Sequence, residues 1–434
     1  MGTIVRIADK KSGIGSMDEL YKSVEALDKK SFRKRACKTM LLEPRSAYGL
    51  LCSNLIVKVD QTDYTKFFTC SKTPCLNDES FGFVSFVRNS ICACGKAMDN
   101  KLRIKYAGFL DIGSGFVTRV ERFIISDDFQ ILPASISNTR TLLLRQDIAD
   151  NNGVQEWNVN VGLEEVLKLL HHSTLSTTPL TDVFLPKDGK FEIIPSPVSL
   201  HAPHQYQTNQ NSSSEGMKAK LWFSKSTNRV ICLEAKEDFI DFLFSFLTFP
   251  LGSMVKLLKG NSSLGSIDNL YKSAESLSAM DIISARSKEM ILNPKLERMF
   301  SCDNQLLEVL EEALPTEFKY NKCYSCCLQK KTCQHVQFQR LKIMNPKCPG
   351  QTSSGGGFIK QQGSLLVTDD LLVEPLSPAS GMSRLDIPFS DLEELQITVG
   401  QEEALAILKA ALVSKRVLSH AFSSKVINRI FFAL

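Results

Sequence analysis

An α+β fold is the class this sequence predicts: two homologous domains, each a small, mainly antiparallel sheet with packed helices and a Cys-rich insert. Three observations predict it. The chain of 434 residues contains much of itself twice. GSMDELYKSVE at 15–25 returns as GSIDNLYKSAE at 265–275, an offset of 250 (265 − 15), and MLLEP at 40–44 meets MILNP at 290–294 at the same offset. SDD at 126–128 faces TDD at 368–370, an offset of 242 (368 − 126), and VGLEEVLKLL at 161–170 faces VGQEEALAIL at 399–408, an offset of 238 (399 − 161). Solenoid units run to about 20–50 residues, so a repeat this long reads as a duplicated domain. The other two observations are short apolar runs broken by polar turn residues, which predict strands, and apolar residues at helical spacing, which predict helices.

The second copy supplies the clearest elements. Leu221-Trp222-Phe223 and Val230-Ile231-Cys232-Leu233 flank a polar stretch at 224–229 and read as a β-hairpin. A helix follows from Glu237-Asp238, whose charges suit the N-terminal dipole, and Pro250 ends or kinks it. Ser266-Ile267-Asp268 opens another helix, with Ile267, Leu270, Tyr271, Ala274 and Leu277 on one face. Leu365–Val367 and Leu371–Val373 read as strand, turn, strand. Gln396–Val399 is the next strand, and Glu402–Ser414 the next helix.

The first copy is shorter at its front. Gly2-Thr3-Ile4-Val5 lines up with Gly252-Ser253-Met254-Val255, and nothing ahead of it corresponds to the hairpin and apolar helix of 221–249. Either this copy packs differently, or the chain begins inside an ancestral domain. A lost hairpin and helix would leave core surface open, and the first copy is expected to be less stable alone and to lean on the second. The stretch IPSPVSLHAPHQYQTNQNSSSEG, rich in Pro, Ser, Asn and Gln, reads as a linker. The expected organisation is a first domain at 1–190, a linker at 191–216 and a complete second domain at 217–434.

An apolar fraction of 43% and a charged fraction of 23% are those of an ordinary globular protein. A net charge of +5 is small for the length and points only weakly to acidic partners. MGTIVRIADKKSG lacks the apolar core of a secretory signal. Cytoplasm or nucleus is therefore the expected location, where thiols stay reduced. Asn211 and Asn261 begin glycosylation-like triplets, which have no meaning without export. Met1-Gly2 resembles a myristoylation start, but Arg6 stands where Ser or Thr is wanted. The uncharged run from Phe242 to Val255 is too short to span a bilayer, so no transmembrane segment is expected and the run reads as a buried core helix.

The thirteen cysteines carry the sharpest chemical signal. Copy two has Cys323-x-x-Cys326-Cys327, then Cys333, His335 and Cys348. Copy one has Cys70-x4-Cys75 and Cys92-x-Cys94. Structural zinc takes four soft ligands in a tetrahedron, and each copy holds enough thiols. The candidate ligands are Cys323, Cys326, Cys333 and Cys348 in one site, and Cys70, Cys75, Cys92 and Cys94 in the other. The second set would be irregular, because Cys92 and Cys94 are one residue apart. The bland alternative is thiols in a variable loop. Other motifs have structural readings. Asp127-Asp128 and Asp369-Asp370 read as turn residues bonding backbone amides, Glu164-Glu165 and Glu402-Glu403 as first-turn helix acids, and the basic run Lys29–Arg35 as a solvated face. No phosphate loop, dinucleotide fingerprint or nucleophile elbow is present.

KLWFSKSTNRVICLEAKEDFIDFLFSFLTFPLGSMVKLL, GSIDNLYKS, TDDLLVEPLSPAS and VGQEEALAILKAALVSKRVLSHAF, spread over 220–422, resemble a plant family catalogued as domain of unknown function 674. Weaker counterparts cover 2–185. The resemblance implies duplicated domains and a plant source, and it brings no activity, substrate or catalytic residue. Members carry paired cysteines that often end Cys-Pro-x-Cys-Gly. Here Cys92-Ala93-Cys94-Gly95 lacks the proline and one spacer, and Cys348-Pro349-Gly350 lacks the last cysteine.

The expected function is a non-catalytic binding or scaffold protein with zinc as the only candidate cofactor and another protein as its partner. Nucleic acid is the weaker partner, and oligomeric state is not legible. The rival expectation is an enzyme using a cysteine or the acidic turns at a cleft between domains.

Overall fold

The computed structural model describes residues 1–49, 62–71, 76–77, 81–103, 116–117, 122–145, 155–185, 216–278, 280–312, 317–322, 337–361, 363–376 and 388–431. Helices and small sheets are both present, an α+β content.

The leading segment is helical: α1 (Gly2–Ile7), α2 (Met17–Ala26) and α3 (Arg35–Leu42). In α2, Met17, Leu20, Tyr21 and Val24 fall at i, i+3, i+4 and i+7, one apolar stripe, and all four are buried. Asp18 in its first turn pins the loop before it, accepting from Ser12 Oγ at 2.6 Å and from the Gly13 amide at 3.2 Å. Lys38 on α3 donates to the carbonyls of Glu25 and Leu27, both at 2.7 Å.

The rest of the first copy builds small sheets. β1 (Lys66–Thr69) pairs with β6 (Asn100–Arg103), and β4 (Ser90–Ile91) with β5 (Ala97–Met98). β2 (Leu76–Asn77) pairs with β3 (Phe81–Val84), and β7 (Phe123–Ile125) with β8 (Ile131–Pro133). Among the described residues three more helices follow in this copy: α4 (Ile136–Arg145), α5 (Leu163–Leu175) and α6 (Pro179–Phe184).

The hairpin expected in the second copy is β9 (Met217–Ser224) and β10 (Val230–Ala235). It leads into α7 (Glu237–Thr248), where every residue from Phe239 to Thr248 is buried. A helix so largely apolar and buried on every face belongs in a core. After Pro250 the chain turns by 118° into α8 (Leu251–Leu257). Among the described residues no single helix is long and apolar enough to cross a membrane. α9 (Ile267–Ser276) and α10 (Ala285–Leu292) then repeat the fittings of α2 and α3. Asp268 accepts from Ser262 Oγ at 2.7 Å and from the Ser263 amide at 3.0 Å, and Lys288 donates to Glu275 and Leu277.

β11 (Glu317–Lys322) and β12 (Gln337–Ile343) follow, then β13 (Leu365–Thr368), β14 (Val373–Pro375) and β15 (Leu392–Val399). α11 (Gln401–Val413) and α12 (Val417–Phe431) end the described chain. The main sheet is antiparallel, in the order β14-β13-β10-β9-β15, so the hairpin holds its centre. Met217, Ala219, Leu221 and Phe223 alternate into the core. Lys220 on the other face lies 4.0 Å from both Glu234 and Glu394. A second sheet, β11-β12-β3-β2, joins the copies through the parallel pair β12–β3.

The helices that open each copy pack on the other copy. α2 lies against β14 and α7, and α9 lies against β8. The bonds recur in matched positions. The Ser16 amide donates to the Ala411 carbonyl, and the Ser266 amide to that of Ser173, both at 2.9 Å. Ser16 Oγ donates to Ser414 O at 2.8 Å, and Ser266 Oγ to Ser176 O at 2.9 Å. The Val373 amide donates to Ser23 Oγ at 2.8 Å, and the Ile131 amide to Ser273 Oγ at 2.9 Å. Phe32 bridges Ile359 as Ile282 bridges Val117.

Each crossing depends on a glycine. Gly15 has φ +41°, and a Cβ there would stand 2.2 Å from the Ala411 oxygen; Gly265 has φ +40°, and its Cβ would stand 2.6 Å from the Ser173 oxygen. Gly95 supplies the comparison, with φ +81° and open space around its missing Cβ. Gly95→Ala is expected to cost about 1–2 kcal/mol, the left-handed strain alone. Gly15→Ala is expected to cost that and roughly 2 kcal/mol more, because backbone must move. Urea midpoints of the two variants check the difference.

Candidate metal centre

Three of the cysteines singled out by spacing come together in space. Cys70 directly follows β1, and Cys92 and Cys94 stand in the turn between β4 and β5. Their sulfurs all lie within 4.8 Å of one another. Tetrahedral zinc with Zn–S bonds of about 2.3 Å sets its ligands roughly 3.8 Å apart, so a small contraction suffices.

The local chain explains the convergence. The Cys92 amide donates to the Lys96 carbonyl and the Gly95 amide to the Cys92 carbonyl, both at 2.9 Å. That tight turn, with Gly95 at positive φ, places two sulfurs one residue apart at a hairpin tip. Phe68 and Ser85 exchange backbone bonds at 2.7 and 2.9 Å, which holds β1 beside the strand leading into the turn. A separate small core of Phe68, Phe83, Met98 and Met344 backs the thiols. Met344 comes from the second copy, and its amide donates to Val84 O at 2.8 Å. Cys92 and Cys70 are buried and Cys94 is exposed, so an ion would sit near the surface with one ligand facing water.

The other expected ligands are not gathered there. Cys75, Cys323, Cys326 and Cys333 lie outside the described residues. Cys348 is not in that cluster; its sulfur packs on Gly356, where a Cβ would stand 2.8 Å from it. The seven described cysteines form no disulfide. Burial pushes the Cys37 and Cys232 thiols up to about 11, and Cys302 higher still. These three hold their protons at neutral pH and are not poised as nucleophiles.

The acidic turns serve the fold. Asp127 accepts from the Thr181 amide at 2.9 Å and its hydroxyl at 2.6 Å; Asp369 takes the same two bonds from Ser419, at 2.8 and 2.7 Å. Each thereby ties its turn to the first turn of a helix. Glu165 and Glu403 reach back to the amides of Gly162 and Gly400, both at 2.9 Å. In the basic run Lys29, Lys30, Arg33, Lys34 and Arg35 are exposed, and only Phe32 is buried.

Two groupings had no sequence signal. Arg45, from the first copy, faces Glu297 of the second at 4.0 Å, with its guanidinium 4.9 Å from the Tyr64 ring. Burial raises Glu297 to about 7, against the pull of Arg45. Asp241 on α7 accepts from the Phe358 and Ile359 amides, both at 2.9 Å. Burial raises it to about 7, opposed by those bonds and by Lys347. Lys347 itself is buried, donates to the Ser301 carbonyl and lies 4.8 Å from the Phe358 ring centre. Partners for such groups come from segments distant in sequence.

A family profile described as Protein of unknown function (DUF674) matches residues 1–402, and the chain belongs to that family. No curated protein and no solved structure matches it.

Asp241 gives a pH dependence with a definite sign. Its folded pKa stands above its unfolded value of 3.8. The folded state therefore takes up this proton more readily, and the group's stability is greatest below about pH 4. It is lost as pH rises toward 7, by a few kcal/mol at about 1.4 kcal/mol per unit. Asp241→Asn keeps an oxygen acceptor for both amides and removes the charge. The variant is expected to gain stability relative to the parent between pH 4 and 7 and to hold that gain above. Urea midpoints across that range check it.

Proposed function

We propose that the chain is an intracellular plant protein, cytoplasmic or nuclear, that binds or scaffolds another protein without catalysis. Its organisation is two related domains, 1–190 and 217–434, joined by a linker, with zinc stiffening the Cys-rich insert of the first. The meeting of Cys70, Cys92 and Cys94 within 4.8 Å carries this reading. Cys75 is the natural fourth ligand by spacing. Cys323, Cys326, Cys333 and Cys348 make the corresponding set for the second insert. Three thiolates and a fourth donor form a closed, structural coordination shell, with no position left open for a substrate.

The site's surroundings support a structural role for the metal. β1 is anchored in the main core through Phe67, whereas the β4–β5 hairpin rests on a handful of apolar side chains with Met344, few for a two-stranded hairpin to be fixed by burial alone. A bound ion would supply that missing constraint.

Elemental mass spectrometry on the purified full chain is expected to find at least one zinc per molecule. Cys92→Ser is expected to lower the content by about one equivalent and to increase hydrogen exchange at 66–70 and 90–98. A metal-free parent, or an unchanged content in Cys92→Ser, overturns the reading.

A further inference from the structure

A cavity of about 380 Å³ opens where the first copy meets Phe300 of the second, and no cysteine lines it. That volume lies at the lower end of small-molecule pockets, which run to roughly 300–1,000 Å³. Met40, Phe68, Phe86, Val87 and Phe300 make its apolar wall. The Phe86 and Phe300 rings stack, their centres 5.7 Å apart and their planes 17° from parallel. Its charged groups are three cations, Arg45, Lys66 and Arg88, and two carboxylates, Glu43 and Asp63, which leaves a net charge of +1.

Arg45 is the group the fold leaves unfinished. Its side chain is only 10% exposed. Its guanidinium is wedged among Tyr64, Phe86 and Phe67, at 4.9, 5.4 and 5.7 Å from the ring centres. A guanidinium carries five N–H donors. Among the described residues one hydrogen bond uses them, from Nη2 to the Tyr64 carbonyl at 2.9 Å. Nε is buried and has no hydrogen-bond partner. Glu297 stands 4.0 Å from Nε, beyond hydrogen-bond reach. Burial raises Glu297 to about 7, so it neutralises Arg45 only in part. Lys295, 250 positions later, is better served, with Glu312 at 3.8 Å. Leaving the donors of a buried cation unused costs stability, and the cavity beside Arg45 gives a ligand room to use them.

We propose that this cavity binds a small aromatic carboxylate, its acid group held by Arg45 and its ring lying against Phe86 and Phe300. A planar carboxylate matches the fork of a guanidinium. Lys66, half-buried, and Arg88, exposed, draw the anion in from the solvent side. Glu43 and Asp63 set the charge of the ligand. The Thr65 hydroxyl and amide bond Asp63 at 2.6 and 3.1 Å and hold its carboxyl below the usual range, so it stays ionised. Two carboxylates beside three cations suit a single negative charge and oppose a phosphate ester, which carries about −1.5 to −2. The inference goes beyond the zinc and protein-binding reading and does not rest on it.

The test titrates the full chain with three probes of one and two rings, benzoate, cinnamate and 2-naphthoate, by calorimetry and ligand-observed NMR. At least one is expected to bind one-to-one with a Kd below about 1 mM and to slow hydrogen exchange at 39–45 and 86–88. Its methyl ester is expected to bind at least about tenfold more weakly, and Arg45→Met to weaken the acid about ten- to a hundredfold. Arg45→Met also strips Glu297 of its cation, so Thr39→Trp serves as a second variant that spares both. Thr39 is exposed on α3 and lines the cavity, and an indole there fills the space and is expected to abolish binding. No saturable binding by any of the three acids overturns the proposal. So does a methyl ester or 2-naphthyl phosphate that binds as tightly as the acid, or an unchanged affinity in either folded variant.

Discussion

The structure depends on a reciprocal crossing. Ser16 and its neighbours on α2 close against α11, and Ser266 on α9 closes against α5, through the same pair of serine bonds at each place. Close approach of backbone to backbone is possible only because Gly15 and Gly265 lack a Cβ. The buried stripe of α2 therefore belongs to a core made mostly by residues more than two hundred positions later. α7, buried from Phe239 to Thr248, lies between that stripe and the hairpin. Removing either partner would expose a large apolar surface, which is the strongest destabilising term a domain of this size faces.

The candidate metal centre sits on a second join between the copies. Parallel pairing of β3 with β12 brings Met344 into the small core that holds Phe83 and Cys92. The thiol cluster thus stands beside the small core to which Met344 contributes. An ion there would hold the β4–β5 turn on β1 and, through β3, stiffen the seam. Arg45 with Glu297 is a further charge pair between the copies, at 4.0 Å, while Asp241 and Lys347 both belong to the second copy. Buried charge costs stability unless it is well partnered, so arrangements of the copies that separate Arg45 from Glu297 are disfavoured.

Sequence alone made the elements legible where local pattern decides them. The hairpin flanking 224–229, the helix from Glu237, the break at Pro250 and the helix of Leu270 and Tyr271 all stand where periodicity puts them. The turn of Asp369-Asp370 was legible too, though its partner, Ser419, was not: the bond spans 50 residues. The exchange of helices left no local trace. The stripe Met17-Leu20-Tyr21-Val24 reads the same whichever core covers it. At the candidate centre, spacing singled out Cys70, Cys92 and Cys94 but could not bring them together, since β1 and the β4–β5 turn meet through Phe68 and Ser85. The parallel β3–β12 pair, with Phe81–Val84 alternating no more clearly than many loops, had no signal at all.

Separating the copies tests the crossing most directly. Residues 1–190 and 217–434 are produced as two chains, alone and together, and their thermal unfolding is followed by circular dichroism. The account predicts that the two co-purify as a one-to-one complex with a cooperative transition, and that neither alone unfolds cooperatively near that temperature. Two fragments that each melt sharply on their own, at the temperature of the intact chain and with no affinity for each other, would contradict it.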